Sequence, residues 1–159
     1  MEVELDVKIN SGDIYDYMLY HQYTGAAGLI GSGVGALLIV TFFMNMQPIF
    51  LIIGAVILLY LPWTLFLKSK QQMLNNPIFK NELHYTLNEQ GLTVSQGEES
   101  QTQSWENMHK AVSTGRSIII YTSPINATII PKRFMGDSKM NVIKVISAYM
   151  PPKKVKIKE

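Results

Sequence analysis

Two adjacent cations, Lys132 and Arg133, follow Pro131 at the end of the apolar stretch ATII in this 159-residue chain. A lysine beside an arginine can bind a phosphate or a carboxylate, and the planar guanidinium can do so with two parallel hydrogen bonds. The same pair also suits a corner where a strand leaves the core and a helix begins. The sequence predicts the corner first, and contact with an anion such as a lipid phosphate second.

A second group of cations lies in the segment 151–159 and comprises Lys153, Lys154, Lys156 and Lys158. Lysines next to an anionic leaflet contribute on the order of 1 kcal/mol each to membrane binding. With Lys132 and Arg133, they are the candidate residues for binding a lipid or a protein partner; a solvated tail is the alternative. Nucleic acid is not an expected partner, because that would need a denser basic face with interleaved aromatic residues.

The sequence contains no recognisable catalytic or metal-binding motif. His21, His84 and His109 lack metal-ligand spacing, and HExxH, P-loop and nucleophile-elbow patterns do not occur. Asp13 and Asp16 lie near His21, but the polar face of a helix explains them better than a metal site does, given the ligands such sites require. The chain also has no cysteine. These observations favour a non-enzymatic protein with no metal or cofactor.

The stretch from 22 to 67 contains no Asp, Glu, Lys or Arg. A helix that crosses a bilayer needs about 20 mostly apolar residues, so this stretch accommodates two such helices. We place them at Ala26–Met44 and Ile49–Leu67, joined by a turn at Asn45–Pro48. The sequence therefore predicts a transmembrane helical hairpin over residues 26–67. The segment KSKQQMLNNP (68–77) is expected to continue the second helix briefly and to stop before Pro77.

The distribution of lysine predicts the orientation of the hairpin. Lys68 and Lys70 follow the second span directly and Lys80 comes soon after, whereas the turn between the spans carries no cation. Positive residues favour the cytoplasmic side, so we expect a two-span protein of the cell membrane with both termini in the cytoplasm. Neither span contains an acidic, basic or histidine residue of the kind that an ion or proton pathway needs, so the hairpin is interpreted as an anchor.

Small residues recur along the first span. Gly31 and Gly35 form a GxxxG pattern that Ala27 extends backward, and such rows allow helices to approach closely in lipid. A second row comprises Gly28, Ser32 and Ala36. We interpret these as helix-packing residues within the hairpin, and a homodimer seam is the alternative.

The remainder of the chain, residues 68–150, changes to the alternating pattern of β-strands. Six strands separated by turns are expected, and they occur within 83–96, 100–114, 116–123 and 127–131. An amphipathic helix follows, with its apolar stripe at Val142, Ile143, Val145, Ile146, Tyr149 and Met150. Trp105 is expected to plug the core, with its indole N–H seeking a partner. This pattern predicts a small β-barrel or sandwich closed by a C-terminal helix.

Residues 1–25 are expected to supply one more strand, EVELDVKI, followed by a helix that leads to the membrane. A lone strand would be unstable, so this one should join the sheet formed after the hairpin. The predicted organisation is therefore an α+β membrane protein with its hairpin inserted after the first strand. Residues 151–159 would form a basic tail.

Four short stretches resemble the bacterial YcxB-like proteins, and they are GLTVS (91–95), SWENMHKAV (104–112), IIIYTS (118–123) and IIPKRFM (129–135). The resemblance extends over nearly the whole chain. It implies two membrane spans and a C-terminal domain similar to pleckstrin-homology folds. None of the stretches is catalytic, so the resemblance implies binding or scaffolding at a membrane.

Three functions follow as hypotheses. The first is a non-enzymatic protein whose pleckstrin-homology-like domain binds a lipid headgroup, a protein partner or another copy of itself at the inner leaflet. The second is a protective protein that confers immunity to membrane-active peptides through its hairpin. The third is an enzyme whose site the motifs do not reveal, and for this the sequence nominates no residue.

Overall fold

The computed structural model describes residues 2–157 and contains, in that part of the chain, four α-helices and eight β-strands. The helices are α1 (Ser11–Tyr23), α2 (Ala26–Asn45), α3 (Pro48–Asn75) and α4 (Lys139–Tyr149). The strands are β1 (Val3–Val7), β2 (Leu83–Leu87), β3 (Leu92–Gln96), β4 (Glu99–Gln103), β5 (Lys110–Ser113), β6 (Ser117–Tyr121), β7 (Ala127–Pro131) and β8 (Val155–Lys156).

The strands form two separate four-stranded sheets, in the orders β1-β2-β3-β4 and β7-β6-β5-β8. All neighbours are antiparallel except β5 and β8. The pairing of β1 with β2 confirms that the N-terminal strand joins a sheet built after the hairpin. Its alternation is also confirmed, because Val3, Leu5 and Val7 are buried while the residues between them are exposed.

The two sheets do not close into a barrel, so the barrel form of the prediction is wrong. Gln103 pairs with Leu92 and Gln101 with Val94, which places these glutamines on the core-facing side of β4. Side chains of this kind do not supply the apolar surface that would seal β4 against the second sheet. The strand accordingly remains an exposed, polar edge.

The helix α4 packs its apolar stripe into the core between the sheets. Val142, Val145 and Ile146 are almost fully buried, whereas Tyr149 remains 37% exposed. Trp105 is also in the core, and its indole N–H donates to the carbonyl oxygen of Asn88 at 2.7 Å. Both the closing helix and the core tryptophan are therefore confirmed.

The helices α2 and α3 pack against each other as the predicted hairpin, and α3 continues past the span to Asn75, which confirms the helical continuation expected before Pro77. Both are long and apolar enough to cross a membrane, and only 11% of each apolar stretch is buried. A core helix of a soluble domain would be mostly covered. Instead, large apolar side chains such as Ile30, Leu37 and Phe43 are exposed around the hairpin.

The segment 151–159, predicted as a basic tail, is part of the domain over its described residues. It makes a 3₁₀ turn and then adds β8 to the edge of the second sheet, parallel to β5. Val155 and Ile157 pack against the core. The prediction failed because two strand residues among lysines give no detectable alternation.

Candidate functional site

The corner formed by Lys132 and Arg133 lies where the domain meets the helix α1. Pro131 ends β7 at an edge of its sheet, where its missing N–H leaves no ladder hydrogen bond unmade. The chain then makes a 3₁₀ turn over Lys132–Phe134 before Met135 enters the core. This confirms that the two cations mark a corner between a strand and a helix.

Arg133 forms a two-point ion pair with Asp13 of α1. Its Nη1 and Nη2 atoms donate to Oδ1 and Oδ2 at 2.5 and 2.7 Å, and Nη2 also donates to the carbonyl oxygen of Lys8 at 2.9 Å. The Asp13 side chain is fully buried, whereas that of Arg133 is 38% exposed. The hydrogen bonds to Asp13 raise the pKa of Arg133, so the guanidinium stays charged.

Asp13 has a second role at the start of α1. Its carboxylate accepts from the Asn10 backbone N–H at 2.8 Å, and the Asn10 side chain accepts from the Asp13 N–H at 3.0 Å. This reciprocal capping box satisfies two N–H groups that the helix would otherwise leave without partners. One carboxylate thus begins the helix and ties it to the corner.

Lys132 also makes an intramolecular contact, since its Nζ donates to the carbonyl oxygen of Thr114. The Thr114 hydroxyl in turn donates to Asp16 of α1 at 2.6 Å. Burial lowers the pKa of Lys132, and the nearby charge of Lys139 adds to that effect. Lys132, Thr114 and Asp16 therefore form a second link between the domain and α1.

An aromatic cluster continues this interface toward the end of α1. The Tyr17 hydroxyl donates to the carbonyl oxygen of Ile125 at 2.7 Å, and the Tyr121 hydroxyl lies 3.5 Å from Nδ1 of His21. The Lys110 ammonium sits 4.5 Å from the centroid of the Tyr121 ring, within range of a cation–π interaction. Burial raises the pKa of both Tyr17 and Tyr121.

These contacts define what we call the α1 interface: Asp13, Asp16, Tyr17 and His21 on the helix, with Thr114, Tyr121, Lys132 and Arg133 on the domain. It combines ion pairing, hydrogen bonding and aromatic packing. Among residues 2–157 there is no cluster of three or more side chains able to hold a metal ion. The arrangement is suited to holding α1 against the domain.

The expected anion contact of Lys132 and Arg133 stays a prediction. In the structure both cations are engaged within the chain, so an incoming headgroup would compete with Asp13 for Arg133 and with the Thr114 carbonyl for Lys132.

The other candidate lysines lie apart from this corner. Lys153 and Lys156 are exposed, whereas Lys154 donates to the carbonyl oxygens of Glu106 and Met108 at 3.0 and 2.8 Å. Lys158 is outside the described residues. Of the four tail lysines, Lys153 and Lys156 are thus the ones seen to point their charge at solvent.

The three helix-packing candidates have different surroundings. Gly35 is buried where α2 crosses α3, and a Cβ atom added there would lie 2.8 Å from the Leu58 side chain. A Cβ atom added at Gly31 would meet no described atom within 4 Å, and Ala27 is exposed. Of these three candidates, Gly35 is therefore the one that serves close packing within the hairpin.

Two contributors were missed by the sequence reasoning. Gly54 faces Gly35 across the hairpin, where an added Cβ atom would come within 2.9 Å of the Gly35 carbonyl oxygen. A lone glycine in an apolar stretch gives little warning of such a contact. Asp13 was assigned to a polar helix face, although its position after Asn10 with capping-box spacing signals the helix start.

The comparisons with known proteins agree with the resemblance found in the sequence. Residues 87–140 match the family model described as YcxB-like protein. No curated protein and no solved structure matches the chain. The matched segment extends from the end of β2 to the start of α4 and includes the corner, but not the hairpin. The chain is therefore similar to YcxB-like proteins over residues 87–140.

Proposed function

We propose that the chain is a non-enzymatic integral membrane protein that presents a pleckstrin-homology-like domain at the inner leaflet of the bacterial cell membrane. There the domain binds a lipid headgroup, a protein partner or another copy of the chain. The observation that carries the proposal is the hairpin, whose apolar side chains face outward with only 11% of each apolar stretch buried. Exposing this apolar surface to water would be energetically unfavourable, whereas contact with lipid acyl chains is not.

The α1 interface supports a presenting role for the domain. A domain on a loose tether would expose all of its surfaces to the membrane in turn. Here α1 is linked to the domain by the Arg133–Asp13 and Thr114–Asp16 contacts and packs against α3. One side of the domain is thereby kept toward the membrane.

Orientation is the first test of the proposal. A reporter that is active only in the cytoplasm, fused after Glu159, should be active, and one placed in the turn at Met46 should not. Activity of the second reporter alone would overturn the proposed topology.

Partner binding is tested by site-specific photocrosslinking in intact membranes. A photoreactive residue at Lys153 or Lys156 should capture a lipid or a protein more efficiently than one at Lys144, which is exposed on α4. Equal capture at all three positions would contradict a binding role for these lysines.

A protective function through the hairpin is the second candidate. It is favoured by Gly31 and Ala27, since neither is used to pack α2 against α3 and both leave a face that a peptide helix could approach. Under this hypothesis Gly31→Leu should sensitise cells to a membrane-active peptide without lowering the amount of protein. Unchanged resistance to a panel of such peptides after deletion of the gene would contradict it.

A further inference from the structure

An apolar groove runs along one side of α3 and is walled at one end by α1. Its volume is about 940 Å³, within the range of roughly 300–1,000 Å³ that is common for ligand pockets. The lining includes Tyr15, Ala55, Leu59, Pro62, Trp63 and Phe66. Tyr15 meets Phe66 edge to face with ring centroids 5.8 Å apart, so the groove ends at an aromatic wall.

A cation lies beside this aromatic end. The Lys70 ammonium lies 4.6 Å from the centroid of the Phe66 ring, one helical turn beyond the last groove residue. Lys70 is exposed and follows the charge-free stretch, so it occupies the level of the lipid headgroups in the proposed topology. The site therefore combines an apolar groove with a positive charge at one end.

We propose that this groove binds one anionic diacyl phospholipid, with an acyl chain against Ala55, Leu59 and Trp63 and the phosphate at Lys70. An apolar chain attached to an anionic headgroup matches both parts of the site. Tyrosine and tryptophan place apolar rings in the chain region and polar tips toward water, as is usual at a membrane interface.

A second copy of the protein fits this groove less well. A symmetric dimer would use the same patch on both subunits and would bring a second Lys70 toward the same rim. Two lysines at one rim repel each other, and each would lack the anion that the lipid supplies.

The inference rests on the proposed membrane insertion. Tryptophan quenching can test the phospholipid site and the membrane insertion separately. The full chain is reconstituted into phosphatidylcholine vesicles containing increasing fractions of phosphatidylglycerol brominated in its acyl chains, with brominated phosphatidylcholine as a parallel series. Bromine quenches tryptophan emission on contact. Trp63 is 63% exposed on the groove, whereas Trp105, the only other tryptophan, is 2% exposed in the core.

We expect brominated phosphatidylglycerol to quench Trp63 at lower fractions than brominated phosphatidylcholine does. Lys70→Gln should reduce this preference about fivefold, which corresponds to about 1 kcal/mol. Lys68→Gln is the matched control, because it removes the same charge from a different side of the helix. Ala55→Phe should abolish the preference by filling the groove, whereas Ile53→Phe, outside the lining, should leave it unchanged.

The possible results have distinct meanings. Equal quenching by both lipids would overturn the phospholipid site while supporting membrane insertion. An equal effect of Lys68→Gln and Lys70→Gln would also overturn it, because surface charge alone would then explain the preference. A second copy would be assigned to the groove by two results together: no quenching by either lipid, and crosslinks between two chains from a photoreactive residue in place of Trp63. Absence of both signals would contradict membrane insertion itself.

Discussion

Burying the Asp13 carboxylate without a partner would cost several kcal/mol, because a charge in the protein interior loses its hydration. Arg133 offsets this cost with two hydrogen bonds, and the Asn10 N–H adds a third. The pair therefore fixes which surface of α1 meets the domain. A role of Arg133 in binding a headgroup would have to be added to this structural one.

Replacing Arg133 with alanine should lower the free energy of unfolding by roughly 2–3 kcal/mol, because it leaves a buried charge without its counterion. Asp13→Asn combined with Arg133→Ala should be less damaging than the sum of the two single changes. The measurement is denaturant unfolding in detergent micelles, followed through the emission of Trp105. Arg116→Ala, which removes an exposed arginine nearby, is the matched control and should stay within about 0.5 kcal/mol of the parent protein. Equal losses for both arginines would show that the ion pair is not stabilising.

Two buried tyrosines predict how stability depends on alkaline pH. Burial raises the pKa of Tyr85 above its usual 10.0, with a further contribution from the charge of Asp13, and burial likewise raises that of Tyr121. The folded protein then keeps protons that the unfolded chain releases. The stabilisation is complete below pH 10 and is lost as the pH rises through the folded-state pKa values.

Thermal unfolding at a series of pH values above 10 should therefore show a steep fall in stability. The fall should be shallower in Tyr121→Phe, with Tyr149→Phe as the matched control on the exposed side of α4. The pKa of Lys132 is lowered, so the folded state releases this proton before the unfolded chain does. Its contribution to stability therefore rises as the pH approaches 10.5, but it concerns a single group. A Tyr121→Phe profile identical to that of the parent protein would refute the assignment.

At the scale of elements, local pattern predicted most of what the structure contains. Strict alternation identified β1, and the uncharged stretch with Pro48 identified both spans to within one residue at three of their four ends. Beyond the second span, the helix continues to Asn75, as the segment before Pro77 predicts. Contacts between distant residues were not predictable, since Asp13 and Arg133 are 120 positions apart and no local period connects them. The strand β8 was missed for a different reason, because it forms only by pairing with β5.

Substitutions at two glycines of α2, Gly35 and Gly31, are expected to affect the packing of the hairpin differently. A side chain at Gly35 would collide with Leu58 and approach the Gly54 carbonyl oxygen at 3.3 Å, so Gly35→Val should force the helices apart. Overpacking of this kind typically costs about 1–3 kcal/mol. Gly31→Val should leave the packing unchanged, because a Cβ atom added there has no neighbour within 4 Å. Unfolding of the reconstituted hairpin by a denaturing detergent provides the measurement.

Equal destabilisation by the two glycine variants would contradict the observed helix crossing. If Gly31→Val preserved stability but dissociated an oligomer, the outer row would be a homodimer seam. The same pair of variants thus separates packing within the hairpin from packing between copies.

At the scale of the whole molecule, α1 connects the hairpin to the domain, two parts that could otherwise move independently. It packs against α2 and α3 on one side and against β6 and β7 on the other. The aromatic residues Tyr17 and Tyr20 cover the outer side of the second sheet, which is why all five residues of β6 are buried. The orientation of the domain is thereby a property of the fold.

This arrangement predicts a narrow distribution of distances between the hairpin turn and the far edge of the first sheet. Spin labels attached to Met46→Cys and Glu98→Cys can measure it by pulsed electron resonance, since the chain has no native cysteine and both positions are exposed. In membranes the parent background should give a single narrow distance, because α1 is held by the Arg133–Asp13 and Thr114–Asp16 contacts. Asp16→Ala combined with Arg133→Ala should broaden the distribution, whereas Arg116→Ala should not. A broad distribution in the parent background would show that α1 does not fix the domain and would remove the basis for a presenting role.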